Sequence, residues 1–314
     1  MSGDDLTQAR MSPNKSAPAR SDVVLDLLRE LRAARYAPPG WARFGLQSWR
    51  LARHTARSHP RLTRSWRRVA LGLTLVELTA LAAEARLGGD EGARAARRAA
   101  AGAALCLAYT LADVYVHLGM NQEAHGAPLH DTLGLPTILT LSRSVVAGLL
   151  TGHLVGREPA NDAVLSLALT VASLTDMTDG QLARTLRRPT RLGAYLDSEA
   201  DFGVALATTL TLVARRALPA WFVAGILARW LSPFAYALLS YFRAGRRVRI
   251  GSTLAGKAAG VAQTVTLGVA LLPERLRRRR LGLQRTLHVV TLILLVVAPL
   301  AQFLRTWSRS TTSA

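Results

Sequence analysis

Eight apolar runs, near residues 69–87, 99–118, 136–156, 161–183, 193–214, 217–241, 254–273 and 286–304, restrict what this chain can fold into. About 20 consecutive apolar residues make one helical crossing of a bilayer. Backbone polar groups inside hydrocarbon must be satisfied within the segment or by a closed barrel. No strand-like alternation and no internal repeat is visible, so the sequence predicts an all-α integral membrane protein, with two N-terminal transmembrane helices followed by six more. Half of the 314 residues are hydrophobic, yet the formal net charge is +20. A nucleic-acid-binding chain of that charge would carry its basic residues on amphipathic helices. Here they punctuate apolar runs, so membrane lipids, and not nucleic acid, are the expected partners.

The division that follows is a basic N-terminal region over 1–68, two transmembrane helices over 69–118, a linker over 119–135, a six-helix domain over 136–305 and a tail over 306–314. The first twenty residues lack an apolar core and read as a polar tail with no cleavable signal peptide. Over 21–36, Val23, Val24, Leu27, Leu28 and Leu31 recur at helical spacing, which predicts an amphipathic helix lying on the membrane or on the protein. The Arg-, Trp- and His-rich segment 41–68 suits a juxtamembrane position beside anionic lipid. With a cytoplasmic N-terminus, 24 basic residues fall on the inner side and 13 on the outer. The positive-inside rule favours that orientation, in the cell membrane; the cluster "ERLRRRRLGLQR", 274–285, runs against it. Cys106, the single cysteine, lies in an apolar run and reads as a small buried hydrophobe.

Against this background, "DMTDGQLARTLRRPTRLGAYLDSEAD", Asp176 to Asp201, holds four aspartates and a glutamate between two apolar runs. Residues three or four apart share a helix face. Asp176 and Asp179 therefore project together at the end of one run, and Asp197 and Asp201 near the start of the next. The short connection brings both pairs toward one cleft. Interfacial pairing with Arg184, Arg187, Arg188 and Arg191 would account for any single aspartate. Four carboxylates at these spacings ask for cations between them, and an all-oxygen ligand set selects a hard divalent ion, Mg²⁺ or Mn²⁺, over zinc. Two such ions would balance the four charges and could bind a pyrophosphate.

The series Asp176, Asp179, Gly180, Ala183, Arg184, Gly193, Asp197 and Asp201, at the spacing it has here, resembles the full motif of the CDP-alcohol phosphatidyltransferase family. "LPTILTLSR", Leu135 to Arg143, resembles the opening of that family's first helix, with Thr137 where an asparagine is usual and with Thr140 and Arg143 in place. "GKAAGVAQ", Gly256 to Gln263, resembles the fifth-helix start of phosphatidylglycerophosphate synthases, and the chain as a whole is nearest to the phosphatidylglycerophosphate synthase and cardiolipin synthase branch. Ala259 and Gly260 stand where a second lysine and a threonine are frequent. The resemblance implies a six-helix phosphatidyltransferase core, with the first 130 residues outside it. It implies transfer of a substituted phosphate from a CDP-alcohol such as CDP-diacylglycerol to an alcohol, with release of CMP, at a site on the cytoplasmic side. It further implies that Asp176, Asp179, Asp197 and Asp201 hold the metals, that Asp201 also takes the acceptor's proton, and that Gly180, Ala183, Arg184 and Gly193 contact the donor. A homodimer is compatible with it.

The acceptor is less constrained. Arg243, Arg246, Arg247, Arg249 and Lys257 suit a phosphorylated alcohol, most simply glycerol 3-phosphate, with Arg246 and Lys257 as its contacts; ordinary flanking charge explains each of them equally well. Phosphatidylglycerol, giving cardiolipin, and inositol phosphate remain open. Arg143 and Arg229 lie inside apolar runs and each needs an internal partner or a ligand. His117, His125 and His130 show no metal-ligand pattern and read as structural. A cation-coupled transporter would also use intramembrane aspartates, but has no need of the Gly, Ala and Arg positions.

Overall fold

A computed structural model describes residues 20–124, 126–157, 162–185, 189–244, 253–271 and 281–311. Among them are ten α-helices and no strand. They are α1 (Arg20–Ala33), α2 (Pro38–Ser58), α3 (Pro60–Leu87), α4 (Gly89–His117), α5 (Leu135–Val155), α6 (Asp162–Thr185), α7 (Arg191–Ala214), α8 (Trp221–Ala244), α9 (Leu254–Ala270) and α10 (Leu281–Thr311). Each of the eight apolar runs lies largely within one helix, α3 to α10. Starts are written locally. Proline opens the first turn of α2, α3 and α5, where its missing N–H costs nothing. Thr190 and Thr253 cap α7 and α9 by accepting from the N–H of Gly193 at 2.9 Å and of Gly256 at 3.0 Å.

Three segments among the described residues, Gly89–Met120, Leu135–Val155 and Gly282–Leu304, are long and apolar enough to cross a membrane by composition alone. The outward faces are nevertheless greasy: Leu75, Val76 and Leu78 on α3, and Val289, Ile293, Val296 and Leu300 on α10, are all exposed. A contiguous surface of that kind belongs against lipid.

α5 and α7 occupy the centre. One core cluster joins α5 through α10 around Leu150, Leu165, Leu212, Phe222, Ile226 and Leu295. A second joins α3, α4, α5 and α7 around Leu62, Leu107, Val114, Leu141, Leu192 and Leu196. The N-terminal helices are therefore built onto the six-helix domain rather than tethered beside it. α4 reaches α5 along Gly148, Gly152 and Gly156; a Cβ on Gly152 would lie 2.5 Å from Ala99 O, and one on Gly156 2.9 Å from Arg98 C. Small residues at a four-residue interval let two backbones approach, the usual device where lipid gives no hydrophobic drive. The amphipathic helix predicted over 21–36 is α1, and it packs on the protein, burying Leu27 and Leu31 beside α2. The basic aromatic segment forms α2 and the start of α3. Trp49 and Trp66 pack at tilted angles against Tyr115, with ring centroids 5.4 and 5.2 Å away, and Trp66 Nε1 donates to Leu111 O.

Candidate active site

α6 brings Asp176, and α7 brings Asp197 and Asp201, to one place: a carboxylate oxygen from each lies within 4.8 Å of the others. This is the convergence expected from the helix spacings. Arg143 of α5 sits at the centre, its side chain only 1 % exposed. One Nη1 donates to Asp176 Oδ1 at 2.8 Å and also to Asp201 Oδ1, and Nη2 donates to Asp197 Oδ1. The partner that the sequence demanded for Arg143 is thus the aspartate cluster.

Charge bookkeeping decides what the site can accept. One guanidinium against three carboxylates leaves two negative charges, and every available ligand atom is an oxygen. The three side chains are 55 %, 47 % and 38 % exposed in the order 176, 197, 201, so a cation can reach them. The donor set fits hard divalent ions.

Asp179, Gly180, Ala183 and Arg184 follow Asp176 on α6, and their side-chain surroundings lie outside the described residues, as do Arg187 and Arg188 and the side chains of Arg243, Arg246, Arg247 and Arg249. The cluster 274–285 and His125 are also largely or wholly outside them. Gly193 faces the α5 start: a Cβ there would lie 3.1 Å from Thr190 Oγ1 and 3.5 Å from Thr137 Oγ1. Lys257 is exposed in the first turn of α9.

Beside the aspartates, a cavity of about 940 Å³ lies between α6, α7, α8 and α9. Its polar end carries Arg143, Asp176, Asp201, Arg229 and Gln263; most of the remaining wall is apolar, including Leu169, Val204, Val261, Val265 and Leu267. The second intramembrane arginine, Arg229, finds its partner here, donating from Nη1 to Gln263 Oε1 at 2.6 Å.

A polar network that sequence reasoning missed ties α4 to the helix that carries Asp197 and Asp201. Tyr195 Oη donates to Asp113 Oδ1 at 3.2 Å, and His117 Nδ1 lies 3.0 Å from the same oxygen. The His117 and Tyr195 rings are 4.6 Å apart, and Glu199 lies beside the Asp113–Tyr195 pair. The linker adds a backbone tie, Arg191 N–H to Gln122 O at 2.9 Å. Asp113, an acid inside an apolar run, was the available signal. Tyr195 and Glu199 face α4 while Asp197 and Asp201 face the cluster, so the network fixes the rotation of α7. Tyr195→Phe is expected to cost roughly 1 kcal/mol of stability, measured by thermal unfolding in detergent, with the metal requirement unchanged. A loss of metal dependence in that variant would place the network inside the site itself.

An all-helical membrane protein with an arginine-centred trio of aspartates is the class that fold and site define. The family follows from comparison: residues 133–297 match the model of the CDP-alcohol phosphatidyltransferase family, and the chain belongs to it. The CDP-diacylglycerol–glycerol-3-phosphate 3-phosphatidyltransferase of Bacillus subtilis (strain 168) is 34 % identical over 102 residues, covering 32 % of this chain and 51 % of that protein. The CMP-forming cardiolipin synthase of Streptomyces coelicolor is 33 % identical over 100 residues, covering 31 % of this chain and 46 % of that protein. The match thus spans about half the length of these curated relatives. No solved structure gives a significant match.

Proposed function

We propose that this protein transfers a phosphatidyl group from a CDP-alcohol, CDP-diacylglycerol in the simplest case, to the hydroxyl of an acceptor, releasing CMP. The observation that carries the reading is the convergence of Asp176, Asp197 and Asp201 on one accessible locus, with Asp176 and Asp201 lining a largely apolar cavity. The acceptor oxygen forms a new bond to the lipid-bearing phosphorus, the bond from that phosphorus to the bridging oxygen breaks, and CMP leaves with the electron pair. Asp201, with a carboxylate at the cavity wall, takes the hydroxyl proton. Asp176, Asp179 and Asp197, with Asp201, would hold two Mg²⁺ or Mn²⁺ ions, which when bound neutralise the pyrophosphate and the departing CMP. Gly180, Ala183, Arg184 and Gly193 are assigned to the donor nucleotide. Catalysis of this kind is mostly positioning plus electrostatics.

The acceptor we assign is glycerol 3-phosphate, with Arg246 and Lys257 as its contacts, the product being phosphatidylglycerophosphate. The similarity to a cardiolipin synthase, nearly equal in identity, supports phosphatidylglycerol as the second reading. The site is placed on the cytoplasmic side of the cell membrane, from the distribution of basic residues. The decisive experiment supplies purified protein with CDP-diacylglycerol and each acceptor and follows CMP. Release is expected with Mg²⁺ or Mn²⁺ and is expected to vanish in excess chelator, returning when metal is restored. Full turnover in chelator would overturn the two-metal assignment.

A further inference from the structure

The outer face of α3 changes character along one line. Arg64, Arg67 and Arg68 are exposed near its start, and Leu71, Leu75 and Leu78 are exposed beyond them. At roughly 100° per residue, these side chains fall within about a third of the helix circumference. Leu62, Trp66, Leu73, Glu77 and Leu81 take the opposite side and pack inward. Glu77 and Glu84 lower the hydropathy of α3, yet both face the protein: Glu77 is 3 % exposed, and Glu84 Oε2 lies 3.1 Å from the buried His153 Nε2. The outward line is therefore basic at one end and apolar along the rest. From Arg68 to Leu78 the helix rises about 15 Å, half of a ~30 Å hydrocarbon core and so the reach of one leaflet's acyl chains.

The charges on this line are not used within the protein. Arg61, one turn earlier, is held by Asp131 at 3.1 Å, but among the described residues no carboxylate pairs with Arg64, Arg67 or Arg68. The chain has no acidic residue between Glu30 and Glu77, and Arg43, Arg50, Arg53 and Arg57 are exposed on α2, so everything leading up to the line is basic as well. Exposed cations at the end of a lipid-facing apolar stripe find their counter-charge in anionic headgroups. We propose that this face of α3 is a docking site for an anionic phospholipid of the adjoining leaflet: Arg64, Arg67 and Arg68 take its phosphodiester, and Leu71, Leu75 and Leu78 lie along its chains. The inward side of the same turns shows what the lipid holds in place. Ser65 Oγ accepts from Leu133 N–H at 3.0 Å, and Trp66 Nε1 donates to Leu111 O at 3.3 Å. A lipid seated outside these turns clamps α3 onto α4 and onto the segment that leads into α5. Because it binds the folded state, it stabilises the N-terminal helices on the six-helix domain.

The test uses full-length protein in a neutral detergent without divalent cation, with mixed micelles carrying phosphatidylserine, or phosphatidylcholine as the zwitterionic control, and with inorganic phosphate as the headgroup charge lacking chains. Equilibrium lipid binding and thermal unfolding are the readouts. Phosphatidylserine is expected to bind saturably and to raise the unfolding temperature by several degrees; phosphatidylcholine and phosphate are expected to do neither. Arg64→Gln, Arg67→Gln and Arg68→Gln should each raise the Kd for phosphatidylserine about 5-fold, the scale of one basic residue beside anionic lipid, and Arg68→Lys should restore most of the affinity. Leu71→Ser should weaken binding with the charge unchanged. Asp201→Asn should bind the lipid as wild type does, which separates α3 from lipid lodged in the cavity. The three arginines are exposed, so their variants are expected to fold. Equal affinity for phosphatidylcholine, stabilisation by phosphate alone, an unchanged Kd in all three glutamine variants, or a Kd that moves only in Asp201→Asn would overturn the assignment.

Discussion

Asp201→Asn is expected to lower turnover by about 10²–10⁴-fold, the usual yield of a positioned general base, while donor binding falls far less than in Asp176→Asn or Asp179→Asn. The amide is nearly isosteric with the carboxylate and keeps one oxygen for a cation, but it cannot take the acceptor's proton. Asp201 lies on the cavity wall with Arg229. Asp176→Asn and Asp179→Asn each remove a full ligand charge from a site whose attraction for divalent ions is its net negative charge, so metal and donor affinity should fall together. CMP-release kinetics give the turnover, and equilibrium binding of CDP-diacylglycerol at graded Mg²⁺ separates the two effects. Equal losses of donor binding in all three variants would leave Asp201 as a ligand with no separate proton-transfer role.

Arg143→Met is expected to destabilise the metal-free protein and to make its stability depend on divalent cation. The guanidinium is buried and contacts three carboxylates, each partly exposed. Removing one partner of a fully buried ion pair costs about 3–5 kcal/mol, and solvent on the carboxylate side places this case at the lower end. In metal-free detergent the unfolding temperature should drop by several degrees. Mg²⁺ should then restore more stability to the variant than it adds to wild type, because the ion supplies the counter-charge that Arg143 provided and binding to the folded state alone stabilises it. Thermal unfolding with and without Mg²⁺ reads both quantities. Equal unfolding temperatures in chelator, or the same Mg²⁺ increment in both proteins, would show that Arg143 does not hold the cluster together.

Much of the site was legible in the sequence because its information is local. Helical periodicity alone places Asp176 beside Asp179 and Asp197 beside Asp201, and the short connection forces the two helix ends together. The apolar runs likewise announced α3 to α10, since hydropathy over about 20 residues is a property of the segment itself. The cost of a lone charge in an apolar run flagged Arg143 and Arg229 before any partner was known. What hydropathy and spacing could not supply was the identity of those partners.

That assignment depends on which helix lies beside which, and only the tertiary structure decided it. Arg143 turned out to serve three aspartates 33 to 58 residues away, and Arg229 an amide and a carbonyl on α9. Asp113 joined Tyr195 across 82 residues, binding the N-terminal helices to the helix that carries Asp197 and Asp201. Gly152 drew no notice in the sequence and Gly260 stood only as a departure from a frequent threonine; one admits a neighbouring backbone and the other a guanidinium. A helix's own pattern fixes which faces are polar, small or greasy. The pairing of those faces is set by packing among all the helices at once, where each contact competes with every alternative, and that competition is not written in any single segment.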